Sequence, residues 1–295
     1  MTIHPSPHPS PGQVAVHQKK VNAYFESTAS YWKAIYDKDR RLRPTIYRQR
    51  QASVLSLVDG LAPRPGSRVL EVGCGAGLMT AALAERGCRV TAMDSSPTMV
   101  EMTRDHAATV GMGDRVTARM GDVHALDFPD RHFDLVMAVG LIPWLHSPEW
   151  AVAEMARVLE SGGHLIMTVD NRARLNHLLD PLLSPWPTPV RRWAKRLLEA
   201  CGWHRPRTGS LNVHMHTISQ TDALLASVGL YKVKGLTVGF GPFSFFSKPI
   251  LPDPLGIQLH RQLQRLADRG LPGLQGSGSH YVVLARKPLP GETAA

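Results

Sequence analysis

The sequence predicts a doubly wound α/β fold with a mostly parallel sheet, on three observations. A short apolar run, Arg68–Val72, ends in a cluster of glycines. A helix-length segment and a second apolar run follow at once, and the second run ends in an acid, Asp94. Short apolar runs that alternate with helical segments are the pattern of parallel strands buried on both faces.

Taken in order, residues 1–17 are rich in Pro, His and Ser and lack the apolar stretch of a secretory leader, which predicts a disordered tail. Residues 18–65 predict an N-terminal helical cap, with the aromatics Tyr24, Phe25, Tyr31, Trp32 and Tyr36 ahead of the basic stretch Arg40-Arg41-Leu42-Arg43. Residues 66–171 hold the core. Its first strand enters Gly73-Cys74-Gly75-Ala76-Gly77, and Leu78–Arg86 reads as a helix closed by Gly87 in the left-handed conformation. Cys88–Asp94 is the next strand, after which Ser96 caps a helix that begins at Pro97.

Residues 172–218 are a cap insertion, with the proline-rich stretch Pro181–Pro189 and a basic amphipathic helix over 190–201. Residues 219–238 return to the core with a helix capped by Ser219 or Thr221, then a strand at Tyr231–Val238. Residues 239–279 are an apolar and basic insertion. Its four phenylalanines among Gly and Pro fit neither a periodic helix nor an alternating strand, which predicts a loop over 239–252 ahead of a basic helix at 257–269. So apolar a loop must bury against the cap, a substrate or a membrane surface. Residues 280–287 supply the last strand, and 288–295 are a tail.

Composition narrows the class. Among 295 residues no apolar run approaches a membrane span, and three cysteines at irregular spacing fit a reduced, cytoplasmic protein, with peripheral membrane contact left open. The formal charge of +10 is uneven. Residues 1–66 carry ten Lys/Arg against four acids, 67–171 carry eight against fourteen, and 172–295 carry sixteen against six. Basic flanks around an acidic middle suit an anionic partner or simply a solvated surface.

Strand, glycine loop, helix, strand and terminal acid together make a nucleotide site: the glycines admit a ligand close to the backbone, and the acid accepts hydrogen bonds from ribose hydroxyls. The loop, Glu71-x-Gly73-x-Gly75-x-Gly77, is one residue tighter than the dinucleotide fingerprint and carries an acid before its first glycine. That acid suits the cationic sulfonium and amino groups of S-adenosylmethionine better than a pyrophosphate.

The block Val69–Gly77 resembles motif I of the class I S-adenosylmethionine-dependent methyltransferases, and Asp94, Gly121-Asp122-Val123, Phe133–Val139 and Glu154–Val169 follow in that family's order. The small-molecule members, those of ubiquinone and menaquinone biosynthesis and the magnesium-protoporphyrin enzymes, are the nearest in pattern. The resemblance implies a seven-stranded sheet, S-adenosylmethionine as cofactor with S-adenosylhomocysteine as product, and a cofactor site of Glu71, Gly73, Cys74, Gly75, Gly77, Asp94, Ser95, Met99, Asp122, Val123 and Val139. It implies methylation of a small or lipid-like acceptor, with oxygen slightly ahead of nitrogen or carbon. His146, in the loop after the fourth strand, and His214 and His216, ahead of the last core helix, are candidate catalytic bases, with Asp170 behind them. No third ligand accompanies His214 and His216, so no metal is expected. The Asn/Asp-Pro-Pro-Tyr/Phe signature of base-amino methyltransferases and a Pro-Cys pair are both absent. An RNA methyltransferase and a non-catalytic partner subunit stay as alternatives.

Overall fold

The computed structural model describes residues 11–35, 41–180, 183, 196, 213–246 and 248–292. Its centre is β1 (Arg68–Val72), which pairs in parallel with β2 (Arg89–Asp94) on one side and β4 (Phe133–Ala138) on the other. With β3 (Val116–Met120), β5 (Leu159–Asn171), β7 (Tyr231–Val238) and β10 (His280–Arg286) the order is β3-β2-β1-β4-β5-β10-β7. β10 runs antiparallel to both neighbours. The expected seven strands are present, and a two-residue strand, β6 (Met215–His216), adds to the end of β5.

Both faces of the central strands are buried, which is why β1, β4 and β10 are apolar at consecutive positions. On one face Leu70, Val72 and Val136 pack with Val152 and Met155 of α6 (Pro148–Val158) and Leu225 of α8 (Ile218–Ser227). On the other, Val69, Leu135 and Met137 meet Leu83 of α4 (Leu78–Glu85) and Val54 and Val58 of α3 (Leu42–Leu61). Doubly wound packing follows from the sequence pattern.

Three elements differ from the sequence reading. A helix, α1 (Pro11–Ser27), begins inside the segment expected to be a tail, because His17 bonds to a distant loop that composition does not reveal. The cap of α8 is Thr217, not Ser219 or Thr221: its hydroxyl accepts from Gln220 N while the Gln220 side chain accepts from Thr217 N. The phenylalanine-rich segment is not all loop, since β8 (Ser244–Phe245) and β9 (Lys248–Pro249) pair as a short hairpin. The basic helix beyond it, α9, runs Asp253–Asp268. Most of 181–189 and of the basic helix expected at 190–201, with Tyr36 and Arg40, lies outside the described residues.

Gly77 caps α4 with φ +79°, and a Cβ there would sit 2.7 Å from Thr103 Cα in α5 (Pro97–Thr109). Gly75 also has a positive φ, but its Cβ would meet nothing within 4 Å. Gly75→Ala is therefore expected to cost about 1–2 kcal/mol from backbone conformation alone. Gly77→Ala adds a backbone clash and should cost at least about 1 kcal/mol more. Urea denaturation of both variants checks the order.

Candidate active site

The crevice opens where the chain reverses direction in the sheet, outside the carboxyl ends of β1 and β4. At the end of β1 the glycine loop folds back on β2: Gly73 N and Cys74 N both donate to Met93 O, at 2.8 and 3.1 Å. Asp94, at the end of β2, accepts from Gly75 N at 3.1 Å and from Ser96 N at 3.0 Å. Burial pushes its carboxyl above the usual range, and those backbone donors resist. Thus the acid is fixed by the loop it serves.

Glu71 is almost fully buried, at 2% exposure, and accepts from Thr80 Oγ1 at 2.5 Å. Burial raises its carboxyl to about 8, against the Thr80 hydrogen bond and with help from the Asp94 charge. A carboxyl in this state is satisfied by a cation, and the amino and sulfonium groups of S-adenosylmethionine carry that charge. Cys74 is a buried thiol, pushed up by burial, with Thr103 Oγ1 3.3 Å from its sulfur. Such a thiol does not ionise at neutral pH.

After β3, Asp122 accepts from His124 N at 2.9 Å, and His124 Nδ1 lies 2.8 Å from the same oxygen. That ring holds the Asp122 carboxyl below its usual value. Arg157 pins the loop from behind, donating to the carbonyls of Leu126 and Phe128 at 2.7 and 2.8 Å and pairing with Asp130 and Glu154.

The N-terminal helix closes the crevice. His17 Nε2 bonds to Trp144 O after β4, at 2.8 Å, and Gln18 and Asn22 bond to Ser95 after β2. α1 therefore bridges the two sides of the opening. Tyr24 stacks on Trp144 with ring centroids 5.3 Å apart, Phe25 meets Trp144 edge-on at 5.1 Å, and Trp32 meets Tyr47 at 5.7 Å.

One cavity joins these parts. Glu71, Gly73, Cys74, Gly75, Asp94, Ser95, Met99, Asp122, Val123 and Val139 all line it; Gly77 does not, being turned to α5. Sequence reading missed Gln18, Tyr47 and Arg50, which also line it. Arg50 is buried, lies over the Tyr47 ring at 4.7 Å, and packs where a Cβ on Gly140 (φ +77°) would be 3.3 Å from its guanidinium. Asp170 lines the cavity from the end of β5. Burial would raise its carboxyl, but His280 Nδ1 at 3.2 Å, Arg174 and Arg50 outweigh that and hold it below the usual range.

The expected bases stand elsewhere. His146, His214 and His216 are not among the residues lining the cavity. The His146 ring lies tilted against His124 with centroids 3.6 Å apart, because the loop turns inward at the buried Leu145 and sends the next side chain under the Asp122 loop. His214 is exposed beside Pro143, and His216 is half-buried in β6.

Glu71 makes ligand binding depend on pH. Its raised carboxyl keeps a proton that the unfolded chain releases above about 4.5, so ligand-free stability should fall as pH rises toward 8. The α-ammonium of S-adenosylhomocysteine, which has no sulfonium, needs the ionised form. The affinity for S-adenosylhomocysteine is therefore expected to weaken as pH falls below 8, approaching roughly tenfold per unit, with proton uptake by buffer on binding. Calorimetry in two buffers checks this, and Glu71→Gln should abolish the slope while raising the ligand-free melting temperature at pH above 8.

Residues 70–167 match the family model described as a methyltransferase domain. Over 139 residues, 47% of this chain, the sequence is 36% identical to a phosphatidylethanolamine N-methyltransferase of Cereibacter sphaeroides. Over 166 residues, 55% of the chain, it is 33% identical to a ubiquinone biosynthesis O-methyltransferase of Alkalilimnicola ehrlichii. Each match spans 64% of the relative's own length, so this chain covers less than two thirds of either. Among solved structures, the fold is similar to magnesium protoporphyrin IX methyltransferase of Synechocystis PCC 6803 with bound S-adenosylhomocysteine. That match has a TM-score of 0.61 and 16% identity, over 92% of this chain and 99% of that one. It is also similar to the [4+2]-cyclase SpnF, with a TM-score of 0.59 and 18% identity over 92% and 96%. The glycine loop, its two acids and the strands around them thus fall within the segment, residues 70–167, that matches a methyltransferase domain.

Proposed function

We propose that this chain transfers a methyl group from S-adenosylmethionine to a small or lipid-like acceptor with an apolar, ring-sized body, oxygen being favoured as the receiving atom. The observation that carries the reading is one cavity lined both by Glu71 and Asp94 and by Phe25, Trp32, Tyr47 and Trp144. Aromatic walls suit an apolar acceptor, and their place in the same cavity suits direct transfer.

S-adenosylmethionine supplies a methyl group on a cationic sulfur, with a neutral thioether as leaving group. The protein's work is then to hold two molecules in line and dry, which can supply roughly 7–11 kcal/mol of the barrier. Glu71 meets the cationic end, Asp94 the ribose, and Asp122 with the Val123 backbone the adenine. Ser95, Met99 and Val139 complete the walls, and α1 excludes water across the opening. The reading gives His146, His214 and His216 no proton transfer, since none lines the cavity. Asp170 is the group that meets the acceptor. Held below the usual carboxylate range, it stays ionised and accepts a hydrogen bond well but is a weak base. That favours an acceptor oxygen whose own proton is acidic, as in a phenol: as the oxygen bonds the methyl carbon and the C–S bond breaks, the O–H becomes acidic enough to pass its proton to Asp170, which Arg50 stands beside.

The similarity to an O-methyltransferase of ubiquinone biosynthesis supports oxygen, and that to a phosphatidylethanolamine N-methyltransferase supports a lipid-like body. Asp94→Ala should weaken S-adenosylhomocysteine binding roughly ten- to a hundredfold, the cost of a charge-assisted hydrogen bond. Asp170→Asn should leave that affinity within about twofold while lowering radiolabelled methyl transfer to a panel of phenols roughly tenfold or more. Failure of the folded wild type to bind S-adenosylhomocysteine overturns the reading, and transfer to amines but not phenols overturns the oxygen assignment.

A further inference from the structure

We propose that the insertion between β7 and β10 seats this chain on an anionic lipid bilayer. Large apolar side chains stand exposed along it: Phe245 at 47%, Ile250 at 58%, Leu255 at 51% and Leu266 at 38%. In α9, Leu255, Leu259 and Leu266 fall on one stripe by helical spacing, and Arg261 and Arg265, with Arg269 at the C-cap, fall on the next. All three arginines are exposed, as is Lys248 at the tip of the hairpin. The two acids of the helix are engaged nearby, Asp253 by Leu42 N at 3.0 Å and Asp268 by Gln264 Nε2 at 2.8 Å.

An apolar stripe beside a cationic stripe is the arrangement by which a helix lies in a headgroup layer, leucines among the acyl chains and arginines on the phosphates. Its outward leucines are held there. The face that α9 turns to the sheet is polar: His260 Nδ1 accepts from Phe240 N at 3.1 Å, and Gln264 bonds Gly239 N at 2.9 Å and Thr237 O at 3.0 Å. Charge complementarity selects a lipid surface over a second copy of this chain. A two-fold contact through this face would set the arginine stripe against itself.

The place of the helix gives the contact a use. Gly256 packs on Leu42 at the start of α3, and α3 supplies Tyr47 and Arg50 to the cavity about 8 and 12 Å further along its axis. A lipid-like acceptor leaving the bilayer there would meet the aromatic walls. The docking surface itself does not rest on the acceptor assignment, because its test requires neither cofactor nor acceptor.

Flotation of the whole chain with phosphatidylcholine vesicles, with and without phosphatidylglycerol, is the test. The wild type is expected to float with the anionic vesicles at low salt and to stay in solution with the neutral ones. Leu255→Ser/Leu266→Ser and Arg261→Glu/Arg265→Glu should each lower the bound fraction roughly tenfold. Both pairs change exposed side chains, and unchanged circular dichroism with an unchanged melting temperature shows that the variants fold. No flotation of the wild type overturns the proposal, as does flotation that both variants retain. A wild-type dimer in sedimentation velocity, made monomeric by Leu255→Ser/Leu266→Ser and indifferent to vesicles, assigns the face to a second copy instead.

Discussion

Parallel pairing of β1 with β2 on one side and β4 on the other forces the chain to leave the sheet in opposite directions from neighbouring strand ends, and the gap so made is where the site forms. A backbone in that gap has lost its ladder partners. It is repaired locally, by Met93 O taking two loop N–H groups and Asp94 taking two more. The loop can satisfy itself in so little space because its glycines adopt positive φ. The acid that holds the loop is therefore also the acid that lines the cavity beside it.

The cavity divides by charge. Glu71, Asp94 and Asp122 line the part proposed for the cofactor, and Arg50 stands with Asp170 in the part proposed for the acceptor, backed by Arg174. In a space partly screened from water, opposite fields a few residues apart act strongly. In the proposed reaction a donor with a cationic sulfur is drawn to the first region, and the O–H of the acceptor to the ionised Asp170 of the second. The fold alone would not say so, since SpnF shares it under the name of a cyclase.

The part of the cavity around the glycine loop was legible in the sequence because its pieces are contiguous. A glycine loop follows its strand and an acid ends the next one, so spacing alone brought out Glu71, Gly73, Gly75 and Asp94, which line the cavity. Gln18, Tyr47 and Arg50 were not legible, because they come from helices that reach the crevice only through tertiary packing. Histidines in a loop raised an expectation that direction then decided. His146 follows Leu145, and the buried leucine turns the imidazole under His124. Likewise the start of α1 was hidden, since a proline-rich prefix looks the same whether or not the next helix finds a partner.

The orientation of α9 shows which interaction sets a surface. Rotating the helix to bury Leu255 and Leu266 would gain about 1 kcal/mol for each half-exposed side chain. The same rotation would strip Gly239 N, Phe240 N and Thr237 O of their partners, and each buried orphan costs about 1–3 kcal/mol. Burial also drives the His260 imidazole down to about 4, so the ring stays neutral and Nδ1 remains an acceptor for Phe240 at physiological pH. Three backbone groups outweigh two leucines. The apolar stripe faces outward because the end of β7 needs the polar edge of the helix more than the core needs its apolar one.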